Sequence, residues 1–157
     1  MCFRGTDGFG SAPAATLLLS AQLMTKQRLI VADDDEDFRA MLSAVLTNAG
    51  YEVRTAGNGI EALRLCETQT IACAIVDLVM PEKEGLETIF EMRRRFPHIK
   101  TIAISGGGRG PSDVYLDMAR QLGAVTALTK PFGNAEILEA IRKILGPDSP
   151  SEPVRPS

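Results

Sequence analysis

From Arg28 onward the chain alternates between short apolar runs and longer segments with apolar residues at helical spacing, and it does so five times. This alternation constrains the fold more than any other feature. The apolar runs are Arg28–Ala32, Tyr51–Thr55, Ala72–Asp77, Lys100–Ile104 and Ala124–Thr129. The first helical segment places Phe38, Met41, Leu42, Val45, Leu46 and Ala49 on one stripe and stops at Gly50. Asn58 and Gly59 open the second, which runs to about Glu67. The third spans about Glu84 to Phe96, with Leu86, Ile89, Phe90 and Phe96 facing inward, and Pro97 stops it. The fourth covers about Ser112–Leu122. The fifth covers about Asn134–Leu145, with Ile137, Leu138, Ile141, Ile144 and Leu145 as its buried stripe. Strands that read as continuous apolar runs are covered on both faces. Right-handed crossovers then give an α/β fold with a five-stranded, doubly wound parallel sheet and five helices.

The flanks read differently. Residues 1–27 are rich in Gly, Ala, Ser and Thr, and a second methionine, Met24, stands just before the first strand. They are expected to be a disordered or artefactual extension, residues 28–146 to be the folded domain, and residues 147–157, rich in Pro and Ser, a disordered tail. A chain of 157 residues, 45% of them hydrophobic, suits one core and leaves little room for a second.

A net charge of −3 argues against the basic surface that a nucleic-acid backbone requires, so no nucleic-acid binding is expected. The three cysteines, Cys2, Cys66 and Cys73, form no CxxC pair and read as free thiols. No apolar run is long enough to span a bilayer. Ala12–Leu19, with Arg4 upstream, is too short for a secretory signal. The expected location is the cytoplasm, with no membrane contact.

In open parallel sheets, sites form at the carboxyl ends of the strands. Asp33 and Asp34 follow the first strand, Asp77 ends the third, Ser105 follows the fourth and Lys130 follows the fifth. Clustered carboxylates repel one another unless a cation joins them. Oxygen donors suit a hard divalent ion such as Mg2+. A carboxylate can attack phosphorus to give an acyl phosphate, with Lys130 and the Ser105 hydroxyl available to the phosphoryl oxygens.

The segments IVADDDEDFR, DLVMPEKEG, AISGGG and ALTKPF occur in order over about Arg28–Gly146 and resemble the four signature blocks of response-regulator receiver domains. The resemblance implies a flavodoxin-like strand order of 2-1-3-4-5 and a stand-alone phosphoacceptor protein of two-component signalling. Asp77 would be the phosphoacceptor. Asp33 and Asp34 would hold Mg2+ together with Asp77 and the main-chain carbonyl of Val79. Ser105 and Lys130 would meet the phosphoryl group, Pro131 would follow Lys130 through a cis bond, and Met80, Pro81 and Gly85 would form the loop after the acceptor strand. The implied donor is a phosphohistidine on a sensor histidine kinase or a histidine phosphotransfer protein. The implied output is altered binding of a downstream protein, through the face of the fourth helix, fifth strand and fifth helix. No catalysis is expected beyond the protein's own phosphorylation and slow dephosphorylation.

Two departures from the family pattern matter. Ala127 stands where an aromatic residue often precedes the lysine by three, which leaves the usual relay to the output face without its aromatic. Val79 and Gly107, two residues after the acceptor and the hydroxyl, cannot orient a water through their side chains, so slow loss of the phosphoryl group is expected.

Plainer roles stand beside these. Asp35, Glu36 and Asp37 read as a charge cluster at a helix start. Gly106, Gly107, Gly108 and Gly110 lack the pattern of a nucleotide-binding loop. His98 reads as a loop residue, and Arg93, Arg94 and Arg95 as a solvated helix end. Two other functions are compatible with parts of the pattern. One is a small phosphatase of the haloacid-dehalogenase type, for which Asp33 and Asp35 have the right spacing. The other is an interaction module that keeps the fold without phosphorylation.

Overall fold

The computed structural model describes residues 26–80, 84–106 and 112–146. Segments 1–25 and 147–157, together with Pro81, Gly107, Gly108 and Gly110, lie outside the described residues. Five strands, β1 (Arg28–Ala32), β2 (Glu52–Ala56), β3 (Cys73–Asp77), β4 (Lys100–Ser105) and β5 (Thr126–Thr129), alternate with five helices. These are α1 (Glu36–Asn48), α2 (Gly59–Thr68), α3 (Gly85–Arg95), α4 (Ser112–Leu122) and α5 (Asn134–Leu145). The strands are all parallel in the order β2-β1-β3-β4-β5, as the sequence implies.

The core divides by the pleat of the strands, because successive side chains leave a strand on opposite faces. Ile30, Ala32, Ala74, Val76 and Ala103 pack beneath Ala62 and Leu63 of α2, Ile89 and Met92 of α3, and Leu116 and Ala119 of α4. Leu29, Val31, Ile75, Ile102 and Ile104 pack beneath Leu42 and Leu46 of α1 and Ile137 and Ile141 of α5. Three helices therefore cover one face and two the other.

Local chemistry sets the helix limits. Asp35 caps α1, its Oδ1 accepting from the N–H groups of Asp37 at 3.0 Å and Phe38 at 3.1 Å. Gly50 then leaves the helix at φ 106°, a left-handed conformation that favours glycine. Asn58 caps α2 by accepting from Glu61 N–H at 2.9 Å.

Several sequence expectations shift. β2 begins at Glu52 rather than Tyr51, whose N–H returns to Leu46 O and whose ring is buried in the core. β3 begins at Cys73 rather than Ala72, and β4 extends to Ser105. β5 begins at Thr126 rather than Ala124, because Ala124 N–H closes the end of α4 on Ala119 O. β5 is an edge strand, so its residues are half-buried or exposed rather than covered on both sides. In α3 the buried line is Gly85, Thr88, Ile89 and Met92. Phe90 belongs to a line rotated away from it and is 50% exposed, where the sequence placed it inward. Met41 likewise lies at the edge of the α1 stripe and is exposed.

Candidate functional site

Sheet register carries the site residues to one end. Ala32 lies opposite Val76, so one step further along β1 places Asp33 level with Asp77. Asp77 pairs with Ile104, and Ser105 with Thr129. Lys130 N–H then donates to Ser105 O at 2.8 Å. The Lys130–Pro131 peptide bond is cis.

The ligand atoms of Asp33, Asp34 and Asp77 lie within 4.8 Å of one another. Asp33 is fully buried, Asp77 nearly so, and Asp34 is exposed. Asp33 is held on several sides. Its N–H donates to Ala56 O at 3.0 Å, its Oδ1 accepts from Asp35 N–H at 2.9 Å, and its Oδ2 lies 2.7 Å from Lys130 Nζ. Lys130 Nζ stands 3.8 Å from Asp77 Oδ2, and Val79 N–H donates to Asp77 Oδ1 at 3.3 Å. Ser105 is buried beside these groups at the end of β4. The Val79 side chain is exposed.

Electrostatics matches this geometry. Burial, and after it the neighbouring Asp33 carboxylate, push the Asp77 carboxyl up to about 7. The Lys130 ammonium and the Val79 N–H pull it down, and Asp34 adds a smaller push upward. One ammonium facing three carboxylates leaves an excess of negative charge. An all-oxygen donor set of this kind fits a hard divalent cation such as Mg2+, so the residues present suit the ion that the sequence implied.

The structure brings together every residue singled out for the site: Asp33, Asp34, Asp77, Val79, Ser105 and Lys130. It also shows contacts that sequence reasoning missed. The Lys130 ammonium lies over the Phe38 ring, 4.0 Å from its centroid, and Phe38 meets Phe132 edge-on at 6.0 Å. Arg39 Nη1 donates to the main-chain O of Asp33 at 2.6 Å. The apolar stripe had absorbed Phe38 into the core, and nothing in the spacing singled out Arg39. Gly85 packs so closely that an added Cβ would lie 2.1 Å from Asp77 O and 2.6 Å from Leu78 Cα. Glycine there lets α3 start against the end of β3. Asp35 serves as the α1 cap, as its plainer reading had it.

Away from the site, burial pushes the Cys66 thiol up to about 11 and the Cys73 thiol to about 12, which leaves both thiols protonated and unreactive at neutral pH. No helix among the described residues is long and apolar enough to cross a membrane.

Comparison with known proteins agrees with this arrangement. The family model of the response regulator receiver domain matches residues 29–142. The chain is 31% identical over 118 residues to the transcriptional regulatory protein CpxR homolog of Haemophilus influenzae, covering 75% of this chain and 50% of that protein. It is 29% identical over 125 residues to sporulation initiation phosphotransferase F of Bacillus subtilis, covering 78% of this chain and 96% of that one. A further relative, the DNA-binding transcriptional regulator NtrC of Azospirillum brasilense, is 31% identical over 127 residues. The chain thus spans half the length of the CpxR homolog and 26% of NtrC. Among solved structures, a CheY-like response regulator receiver domain protein of Methanospirillum hungatei superimposes with a TM-score of 0.71 at 26% identity, covering 77% of this chain and 94% of that one. Response regulator TrrA of Thermotoga maritima, solved in complex with Mg(2+)-BeF, gives a TM-score of 0.67 at 31% identity, covering 76% and 99%.

Proposed function

Because the chain belongs to the response regulator receiver domain family, we propose that it is a phosphoacceptor signalling protein in which Asp77 receives a phosphoryl group and the phosphorylated form changes its binding to a partner. The observation that carries this reading is the convergence of Asp33, Asp34 and Asp77 within 4.8 Å, with Lys130 set between two of them. The receiver unit is residues 28–146.

The roles follow from the geometry. The Val79 N–H bond holds the plane of the Asp77 carboxylate. A carboxylate oxygen of Asp77 attacks phosphorus, the bond from phosphorus to the donor imidazole nitrogen breaks, and an acyl phosphate forms on Asp77. Lys130 and the Ser105 hydroxyl pair with the phosphoryl oxygens. Asp33, Asp34, Asp77 and the Val79 carbonyl would hold Mg2+. When bound, Mg2+ supplies positive charge against the carboxylates and the incoming phosphoryl oxygens. The donor is a phosphohistidine on a sensor histidine kinase or a histidine phosphotransfer protein. The similarity over 96% of a curated sporulation phosphotransferase supports a phosphorelay setting.

The exposed, apolar Val79 side chain offers no hydrogen bond to an attacking water, so the acyl phosphate is long-lived. A half-life of seconds in Mg2+ buffer would contradict this. The output surface includes a groove of about 550 Å³ between β5 and α5, where Val125, Leu128 and Ile144 lie among two lysines, Lys100 and Lys143, and two glutamates, Glu136 and Glu139. The partner is a protein. The chain's net charge of −3 argues against direct nucleic-acid contact, although a relative of greater length is a DNA-binding regulator.

The phosphatase alternative is disfavoured by two contacts. Asp33, its candidate nucleophile, is buried against Lys130, and Asp35, its second acid, is committed to capping α1. The test is phosphoryl labelling with a phosphohistidine donor or acetyl phosphate and Mg2+. Wild type takes up label and Asp77→Asn does not. Equal labelling of the two would overturn the assignment, and failure of wild type to label would favour an interaction module that works without phosphorylation.

A further inference from the structure

Arg39 has no role in the proposed phosphoryl transfer, yet its side chain turns back along α1 to the turn that carries the acidic pair. Its Nη1 donates to the main-chain O of Asp33 at 2.6 Å. Hydrogen bonds from a charged donor are shorter and roughly twice as strong as neutral ones. The guanidinium also lies against the β2–α2 turn. A Cβ added at Gly57 would stand 3.4 Å from Arg39 Nη1 and 3.3 Å from Glu61 Oε1. Gly57 N–H itself donates to that Glu61 oxygen at 2.6 Å. The half-buried Arg39 is therefore wedged between two turns and has little freedom to leave.

The carbonyl that Arg39 holds belongs to the peptide joining Asp33 to Asp34. Holding that plane narrows the directions in which the Asp34 side chain can leave the backbone. Asp33 has further restraints, through Ala56, Asp35 and Lys130. Asp34 is the exposed member of the acidic group, so the peptide plane it shares with Asp33 has more to contribute to its placement.

We propose that Arg39 is a positioning residue: it locks the Asp33–Asp34 peptide so that the Asp34 carboxylate faces Asp33 and Asp77 as a divalent-cation ligand. This rests on the reading of these carboxylates as the Mg2+ site. Charge and position act in opposite directions at Arg39. As a nearby cation alone, Arg39 repels Mg2+, and its removal strengthens binding. As a positioning group, its removal weakens binding.

Isothermal titration of Mg2+ into wild type, Arg39→Met and Arg39→Lys separates the two. Thermal melts in EDTA confirm that each variant is folded at the titration temperature. Arg39→Met weakens Mg2+ affinity by about tenfold, the lower end of the range for groups that orient metal ligands. Arg39→Lys keeps the charge and one donor and recovers part of the loss. Mg2+ affinity in Arg39→Met equal to or tighter than wild type overturns the proposal. If Arg39→Met does not fold, Arg39→Lys decides: weaker binding at unchanged charge supports positioning, and unchanged binding refutes it. Absence of Mg2+ binding in folded wild type is a separate result, which removes the site reading itself.

Discussion

Lys130 Nζ lies 2.7 Å from Asp33 Oδ2 and 3.8 Å from Asp77 Oδ2, so in this structure the lysine is bonded to the carboxylate just after β1 and held near the one that ends β3. Asp33 is fully buried, while the lysine side chain retains some contact with solvent. The pair joins the first and last strands' ends across 97 residues of sequence. Removing one member of such a pair strands a buried charge, which costs more than the pair itself contributes.

Replacing Lys130 with Met therefore lowers unfolding free energy by about 2–4 kcal/mol in EDTA. Urea titration measures the loss. Mg2+ at millimolar concentration restores part of it, because a ligand that binds only the native state adds stability. A variant as stable as wild type in EDTA would show that the ion pair carries no such weight.

Asp77→Asn acts in the opposite direction. The folded carboxyl is pushed up to about 7 from an ordinary 3.8. Below 3.8 the group is protonated in both states and contributes nothing. Between 3.8 and about 7 the unfolded chain ionises first, so native stability falls as pH rises, and above about 7 the full cost persists. In EDTA at pH 8, Asp77→Asn is more stable than wild type by roughly 1–3 kcal/mol, less than the whole shift because ions and water screen the site. The gap narrows toward pH 4 and on adding Mg2+. Urea titrations at pH 5 and pH 8, with and without Mg2+, check the sign.

Gly85→Ala places a methyl group 2.1 Å from Asp77 O and 2.6 Å from Leu78 Cα, both backbone atoms that cannot swing aside. The start of α3 must move away from the end of β3. The expected cost is about 3 kcal/mol or more, with reduced labelling of Asp77 in whatever fraction stays folded. Native labelling at native stability would show that the two elements separate easily.

Asp35→Ala removes the α1 cap and costs about 1 kcal/mol. Because Asp35 reaches the site only through its N–H to Asp33, which alanine retains, Mg2+ affinity changes by less than about threefold, as expected for loss of one exposed charge. A large loss of Mg2+ binding on titration calorimetry would instead make Asp35 a ligand.

Much of this was legible in the order of residues. Strands that are apolar throughout and helices with a 3.6-residue period show themselves locally, so Ile30, Val31, Leu42, Leu46, Ile137 and Ile141 announce their burial without knowledge of any partner. The site residues were legible for a related reason: in a parallel sheet all strands end on the same side, so a polar residue at the end of each apolar run must join the others. The rotation of a helix about its own axis was not legible. Leu86 with Phe90 and Gly85 with Ile89 are equally good apolar spacings, and close packing of Gly85 on β3 selected the second, which turned Phe90 outward.

By itself, then, the sequence determined the strand–helix alternation and the set of residues that meet at the carboxyl ends of β1, β3, β4 and β5, because both depend on local periodicity and on the polarity of each strand. Tertiary structure alone decided how those residues pair. That Lys130 bonds Asp33 more closely than Asp77 and rests over Phe38 depends on sheet register and side-chain packing. Those distances are set by contacts between segments far apart in the chain, which no local pattern encodes.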